Sequence, residues 1–349
     1  MRAENGELKA RLKVHGLSGI TAEGGPSYDV LSAPAITDML TTSYLGRQII
    51  CKDITGSTND DLRRLVGPGA PEGAQGLPLE HRTGTTVGTT AGTAAGTAAG
   101  TVAGAVAGTV VIAERQTGGK GRLGRKWESP AGGVFMSALL RPVIPPDRAP
   151  LVAIVAGYAV ASAIRSLTDL DAQIKWPNDV LVEGKKVCGI LCEAVVVPVS
   201  SARPPHGADA GENEGHAFHP PYIICGIGIN ANQEKADFTE DIRETASSIR
   251  ILSKQPVDRN ALIAAVLNNL ESALAQFERN GLAGMREKLS GLWAFLGSRV
   301  VLQNRSVNDR SKIHGTFRGV DGEGRALIEV PGEGVQAFSA GDLSMRQKS

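Results

Sequence analysis

The sequence predicts an α+β protein in which a mixed β-sheet with flanking helices is followed by a small C-terminal β-barrel. Three observations carry this. Short apolar runs of strand character alternate with segments of helical periodicity from about residue 47 to residue 278. From Ser298 onward the helical period disappears, and short strands surround the hairpin signal Asp321-Gly322-Glu323-Gly324. A chain of 349 residues, 42% hydrophobic and 21% charged, is a globular sequence able to bury a sizeable core and too long for one ordinary domain.

Residues 1–27 are polar and glycine-bearing and are expected to form a poorly ordered extension. A short helix is expected within Tyr28–Leu45, with Thr37 and Asp38 near its start. Arg47–Ile54 reads as a strand, after which Ser57-Thr58-Asn59 opens a helix through Val66 and Gly67–Gly73 makes a turn. Thr109–Ala113 is the next strand, followed by a basic glycine-rich loop at 115–126 and a strand at Val134–Leu140. Pro150–Leu167 is apolar enough for a helix buried on most sides. Ile174-Lys175-Trp176, a turn at Glu183-Gly184 and strands at Val187–Val197 and Tyr222–Ile229 come next. Asp258 is an N-cap for a helix reaching about Glu278, with Gly281 near its end. The expected division is therefore an extension at 1–27, a main domain at 28–297 and a β-barrel at 298–349.

Two stretches interrupt the main domain. The 43 glycines are about 12% of the chain against about 7% on average, and seven of them recur every fourth position from Gly84 to Gly108. No charged residue occurs from Thr83 to Ala113, so this ladder imitates a packed transmembrane helix. Its filler is Thr and Ala with no Leu or Phe, and glycine at each fourth place weakens a helix by about 1 kcal/mol per position. Residues 74–108 are accordingly a low-complexity insertion with no membrane role expected. Residues 198–220, rich in Pro, His, Gly and acids, form a second insertion. Its His206, His216 and His219 with Glu212 and Glu214 have metal-ligand types, but a solvated loop is the better account.

The N-terminus lacks the apolar run of a signal peptide, and Cys51, Cys188, Cys192 and Cys225 sit in apolar surroundings without CxxC spacing. Buried reduced thiols in a cytoplasmic protein are expected. Lys+Arg 37 against Asp+Glu 36 leaves +1, which argues against a dedicated nucleic-acid binder, so any basic site is local.

That local site is Glu114–Arg141. Gly119-Lys120-Gly121-Arg122-Leu123-Gly124 has GxGxxG spacing, but the following Trp127-Glu128-Ser129-Pro130 and Gly132-Gly133 deny it the helix a dinucleotide fold requires. Arg125 and Lys126 stand where a P-loop has GK[ST]. The cations Lys120, Arg122, Arg125 and Lys126 lie within seven residues, in a loop whose glycines permit close approach to a polyphosphate or an anionic intermediate. A second segment is Lys175-Trp176-Pro177-Asn178-Asp179 with Lys185-Lys186 and Gly189. A third is Gly226-Ile227-Gly228-Ile229-Asn230, where glycines in an apolar strand suggest a ligand against the backbone.

Four segments in order, STN at 57–59, RQTGGKGRLGRKWESP at 115–130, KWPNDVLVEGKKVCGIL at 175–191 and GIGIN at 226–230, resemble the biotin protein ligases, or biotin–[biotin carboxyl-carrier protein] ligases. The resemblance covers roughly 28–73, 109–197 and 222–347. It implies a class II synthetase-like biotin/lipoate ligase catalytic domain, an SH3-like C-terminal barrel and a two-step reaction using ATP, Mg²⁺ and biotin. Biotin's carboxylate attacks the α-phosphate of ATP, and a lysine of the biotin carboxyl carrier domain of a carboxylase, such as acetyl-CoA carboxylase, then takes the biotinyl group. A loop closing over the mixed anhydride is expected to shield it from water.

Carried over by motif position, Ser57, Thr58, Asn59, Gln116, Lys120, Gly121, Arg122, Lys186 and Gly189 would bind biotin. Lys120, Arg122, Arg125, Trp127, Asn178 and Asn230 would bind ATP or the adenylate, with Trp127 offering an aromatic face near the adenine. Lys186, Asp179 and Arg122 would be catalytic, Lys186 bridging the biotin carboxylate and the α-phosphate and Asp179 orienting or deprotonating the acceptor lysine. No protein metal site is expected, Mg²⁺ being carried by ATP. Lys120 departs from the usual GRGR loop: it keeps the charge and loses the bidentate fork. About 27 residues precede the matched region, too few for the DNA-binding domain of repressor relatives, so a monofunctional ligase without nucleic-acid binding is expected. Relatives of this type often dimerise through the central sheet, and a homodimer is among the expected states. The alternatives are a lipoate- or octanoate-transferring enzyme and a non-catalytic biotin-sensing protein.

Overall fold

The structure, a computed structural model, describes residues 29–66, 106–195, 222–304, 311–340 and 343–347. The expected extension at 1–27, nearly all of the 74–108 insertion and the 198–220 insertion with its histidines lie outside the described residues.

Seven strands form the main sheet: β1 (Gln48–Thr55), β2 (Thr109–Gln116), β3 (Val134–Leu140), β4 (Gln173–Lys175), β5 (Asp179–Val182), β6 (Lys185–Val195) and β7 (Tyr222–Ile229). Their order is β1-β2-β3-β7-β6-β5-β4. Only β1 and β2 run parallel, with Ile50 opposite Val111, and helix α2 (Thr58–Val66) lies in the crossover that parallel pairing requires. The remaining pairs are antiparallel, so the sheet is mixed.

Period-two alternation sorts the side chains between two faces. On β7, Ile223, Cys225, Ile227 and Ile229 enter the larger core, where α3 (Val152–Leu167) covers the sheet and α5 (Arg259–Asn280) packs on α3. Ile224 points the other way, into a smaller cluster with Leu62, Val66, Val111 and Leu139 beneath α2. Central β3 is buried along its whole length, as a strand covered on both faces must be. The stretch Pro146–Leu167 is long and apolar enough by composition to cross a membrane; here a 3₁₀ turn leads into α3, whose apolar residues pack against α5 and the sheet.

Helix α5 starts on the expected cap, Asp258 Oδ1 accepting from Ala261 N at 2.9 Å, and stops at Gly281 with φ +61°. Beside that cap lies an ionic knot. Arg259, 0% exposed, donates from Nε to Asp29 Oδ1 at 2.9 Å and from Nη1 to Glu114 Oε2 at 2.6 Å and to the Gly133 carbonyl at 3.2 Å. The segment before α1 (Ala33–Asp38), the end of β2 and the start of β3 are thereby tied to α5.

Several expectations are corrected. The helix placed in 28–45 is only the six residues of α1, capped by Ser32, with Thr37 and Asp38 at its end rather than its start. The segment after it is taken by other bonds: locally Thr42 Oγ1 donates to the Leu45 carbonyl at 2.5 Å, and from a distance Glu271 of α5 accepts from the backbone N–H groups of Ser43, Tyr44 and Leu45. Cys51 is exposed on edge strand β1, whereas Cys188 and Cys225 are buried and Cys192 is half-buried, its Sγ 3.5 Å from Cys225 Sγ across the β6–β7 pair. Two short helices, α4 (Ile249–Ser253) and α6 (Arg286–Ser290), carried too little periodicity to be anticipated.

The C-terminal strands β8 (Arg299–Asn304), β9 (Lys312–Val320), β10 (Ala326–Val330), β11 (Gly334–Phe338) and β12 (Leu343–Gln347) form a five-stranded antiparallel sheet ordered β11-β10-β9-β8-β12. Its β9–β10 turn is the predicted one: Asp321 Oδ1 accepts from Glu323 N and Arg325 N, and Gly324 takes φ +73°. The Gly324 carbonyl accepts from Trp176 Nε1 at 2.9 Å, so this sheet docks beside the turn between β4 and β5.

Candidate active site

On the α2 side of the main sheet, glycines replace side chains at alternate positions of β6 and β7. Gly189, Gly226 and Gly228 leave the backbone bare there, and two side chains of the protein itself lie against it. A Cβ at Gly226 would sit 2.2 Å from Asn59 Oδ1; at Gly228 and Gly189 it would meet the Trp127 indole at 2.6 and 2.8 Å. The close approach that the glycines signal is thus first an approach of protein side chains. Above this floor opens a cleft of about 1030 Å³. Every residue assigned from the sequence lines it: Ser57, Thr58, Asn59, Gln116, Lys120, Gly121, Arg122, Arg125, Trp127, Asn178, Asp179, Lys186, Gly189 and Asn230.

One end of the cleft is the start of α2. Thr58 donates from N and Oγ1 to Gln116 Oε1 at 2.9 and 3.2 Å, and Gln116 Nε2 donates to Ser129 Oγ at 3.0 Å. Ser137 Oγ reaches Thr58 Oγ1 at 2.7 Å and Asn59 Oδ1 at 2.5 Å, while Asn59 Nδ2 donates to Glu193 Oε2 at 2.6 Å. Asn59 is therefore engaged with the protein through both ends of its amide and holds α2 to β3 and β6. Ser137 and Glu193 were not singled out in the sequence, because lone polar residues inside apolar strands gain meaning only from what faces them.

The basic loop is folded by its own backbone. Gly121 N donates to the Arg125 carbonyl at 2.7 Å and Trp127 N to the Gly119 carbonyl at 2.9 Å, with Leu123 left-handed (φ 59°) and exposed at the tip. Its cations divide. Lys120 is drawn outward onto Asp60 of α2 at 2.6 Å, Arg122 Nη1 donates to Asn178 Oδ1 at 3.0 Å, and Lys126 pairs with Glu128 at 3.0 Å. Asn178 is oriented for Arg122 by donating to the Ile190 carbonyl at 2.8 Å. Asn230 is 5% exposed and donates to the Ser247 carbonyl at 3.0 Å.

At the centre, Lys186 Nζ lies 2.7 Å from Asp179 Oδ1 and 5.0 Å from the Trp127 ring centre. Lys175 Nζ approaches Asp179 Oδ2 at 3.6 Å. Burial by itself would raise the Asp179 carboxyl, but the Lys186 and Lys175 ammoniums outweigh it and hold the group below the usual carboxylate range. Lys175 is displaced downward from the usual lysine range, burial outweighing the pull of Asp179, with Lys186 and Arg346 adding repulsion. Arg346 and Met345 of β12 line the same cleft, so the C-terminal sheet supplies part of its wall. Among the described residues no group of three or more His, Cys, Asp or Glu is arranged to hold a metal ion.

Such an arrangement suits two anions brought together: cations on one rim, a lysine at the floor and hydroxyl and amide groups at one end. Comparison with known proteins agrees. The model of the Biotin/lipoate A/B protein ligase family matches residues 101–201. The chain is 30% identical over 239 residues to a biotin–[acetyl-CoA-carboxylase] ligase of Mycobacterium tuberculosis, covering 67% of this chain and 77% of that one. It is 29% identical over 318 residues to the bifunctional ligase/repressor BirA of Bacillus spizizenii, covering 90% and 79% respectively. A biotin protein ligase from Aquifex aeolicus, solved in complex with biotin and ATP, superposes with a TM-score of 0.61 at 26% identity, covering 86% of this chain and 99% of that one. The chain belongs to the biotin/lipoate A/B protein ligase family.

Proposed function

We propose that this protein is an ATP-dependent biotin protein ligase, which activates biotin as biotinyl-5′-AMP and transfers it to a lysine of a biotin carboxyl carrier domain. The observation that carries the reading is Lys186 at the floor of the cleft, between the hydroxyl-lined start of α2 and the loop cations, with Asp179 in contact. Biotin and ATP are the small-molecule substrates, in line with the ligand-bound relative. The lipoate or octanoate alternative is not favoured, since the relatives compared are biotin ligases.

In the first half-reaction an oxygen of the biotin carboxylate attacks the α-phosphorus, and pyrophosphate leaves with its electron pair. Two anions must meet, so the barrier is electrostatic, and Lys186 lies where one ammonium can neutralise both reacting groups. Arg122, aimed by Asn178, and Arg125 offset the charge of the polyphosphate. Mg²⁺ bound to the nucleotide would offset part of the same charge. In the second half-reaction the acceptor amine attacks the acyl carbon and AMP departs. An Asp179 held below the usual carboxylate range is a weak base, and its contribution is to orient the acceptor lysine and stabilise the positive charge that forms on its nitrogen as it attacks, the protons passing to solvent.

Ser57, Thr58 and Gln116 mark the biotin end, with Lys120, Gly121 and Gly189 beside it. Trp127, Asn178 and Asn230 lie toward the nucleotide. We further assign 28–297 as the catalytic unit and 298–349 as a small β unit completing its wall, and the cytoplasm as the compartment. Biotin-dependent exchange of labelled pyrophosphate into ATP tests the first half-reaction in isolation; exchange that proceeds equally without biotin would rule the reading out.

A further inference from the structure

Gln233 is 1% exposed, lines the cleft, and has no hydrogen-bond partner among the described residues for either its amide nitrogen or its amide oxygen. Its position is nonetheless closely fixed. The Gln233 carbonyl accepts from Ser248 Oγ at 2.6 Å, and neighbouring Asn232 is locked by donating to the Val257 carbonyl at 2.8 Å and accepting from Val257 N at 2.9 Å. The amide lies so near Gly133 that a Cβ there would be 2.6 Å from Nε2. A buried donor and acceptor left open on one amide are costly, and such a group lining a cleft calls for a complementary partner.

The direction of β7 says what that something is. Gly226 lies against Asn59 at the α2 end, Gly228 lies under Trp127, and Asn230 follows, so the chain runs at about 3.3 Å per residue away from the hydroxyl-lined end and past Lys186. Gln233 stands beyond Asn230, beside the wall formed by 237–246. Taking the cleft as an adenylation site, on which this inference rests, Lys186 marks the reacting carboxylate and phosphate, and Gln233 lies on the far side from biotin.

We propose that Gln233 reads the base of the nucleotide, its amide N–H donating to a ring nitrogen of adenine and its carbonyl accepting from the exocyclic amino group. A primary amide matches that acceptor–donor edge bidentately; guanine offers two acceptors in the corresponding place and leaves the Gln233 carbonyl unpaired. Gln233 is thus a specificity-determining residue for ATP over GTP, separate from the residues that act on the reacting atoms.

The test is Gln233→Leu, with Gln233→Glu as the variant that keeps size and acceptor and loses the donor. ATP and GTP binding are measured by titration calorimetry, alongside biotin-dependent adenylate formation. Gln233→Leu is expected to weaken ATP about ten- to hundred-fold, leave GTP and the KM for biotin unchanged, and keep or raise the Tm, because an unsatisfied buried amide is removed. Gln233→Glu should fall between the two. An unchanged ATP-to-GTP ratio overturns the proposal, as does a loss that appears in biotin instead, or a lowered Tm with equal loss for both nucleotides. If the unsubstituted protein binds ATP selectively but forms no adenylate with biotin, the ligase reading fails while the binding ratios still decide the role of Gln233. Absence of any preference for ATP in the unsubstituted protein overturns the role directly.

Discussion

The ammonium of Lys186 is shared between the Asp179 carboxylate, 2.7 Å away, and the face of Trp127, 5.0 Å from its ring centre. One cation therefore faces the group assigned to the second half-reaction while standing at the place assigned to the first, and the two assignments are separable experimentally. Lys186→Ala should reduce adenylate formation by about 10²–10³-fold, the usual cost of removing one electrostatic stabiliser of a transition state. Asp179→Ala should leave adenylate formation nearly intact and slow transfer to the carrier lysine by at least about tenfold. Single-turnover measurements on each half-reaction distinguish them, and equal losses in both for Asp179→Ala would contradict its assignment.

The depressed Asp179 carboxyl has a thermodynamic consequence whose sign is fixed. A group with a lower pKa in the native state than in the unfolded chain contributes stability above its unfolded value, about 3.9, and that contribution is lost as pH falls through the native value. The stability difference between the unsubstituted protein and Asp179→Asn should be constant from neutral pH down to the ordinary carboxylate range and shrink below it. Urea unfolding across that range measures this; a difference that grows on acidification would be contrary to the ion-pair account.

Lys120, the departure from the usual loop sequence, pairs with Asp60 of α2 at 2.6 Å, with both side chains substantially exposed. Exposed pairs contribute only about 0.2–1 kcal/mol, so the pair is a weak latch on the loop rather than a stabilising element of the fold. Asp60→Asn should shorten the lifetime of bound biotinyl-adenylate by about two- to fivefold, as that energy allows, without lowering the Tm. The effect should vanish in high salt. A lifetime insensitive to both would show that the latch has no role.

Removing the cation from the Arg259 knot should act on stability. Arg259→Met leaves Asp29 and Glu114 without their shared partner in a partly buried setting, which costs about 3–5 kcal/mol. A chemical denaturation difference under about 1 kcal/mol would mean that the knot is dispensable.

Long elements were legible because their signals are local. β3 and β7 have the predicted bounds, and α5 has the predicted cap at Asp258 and stop at Gly281. The helix expected in 28–45 was not, because Glu271, more than 220 residues away, claims the backbone of 43–45. The cleft residues were legible as motifs, but their engagements were not. The glycines of β7 suggested a ligand on the backbone, and what lies there is Asn59 and Trp127. Gln233 carried no signal in the sequence, since an unpaired amide is recognised only when burial and its missing partners are both known.

The central claim is tested most directly by incubating the full chain with Mg-ATP, an apo biotin carboxyl carrier domain, and either labelled biotin or labelled lipoate. The account predicts ATP-dependent transfer of label from biotin to a single lysine of the carrier, resistant to denaturation, with lipoate giving little or none. Absence of transfer from biotin, or transfer from lipoate at an equal or greater rate, would contradict it.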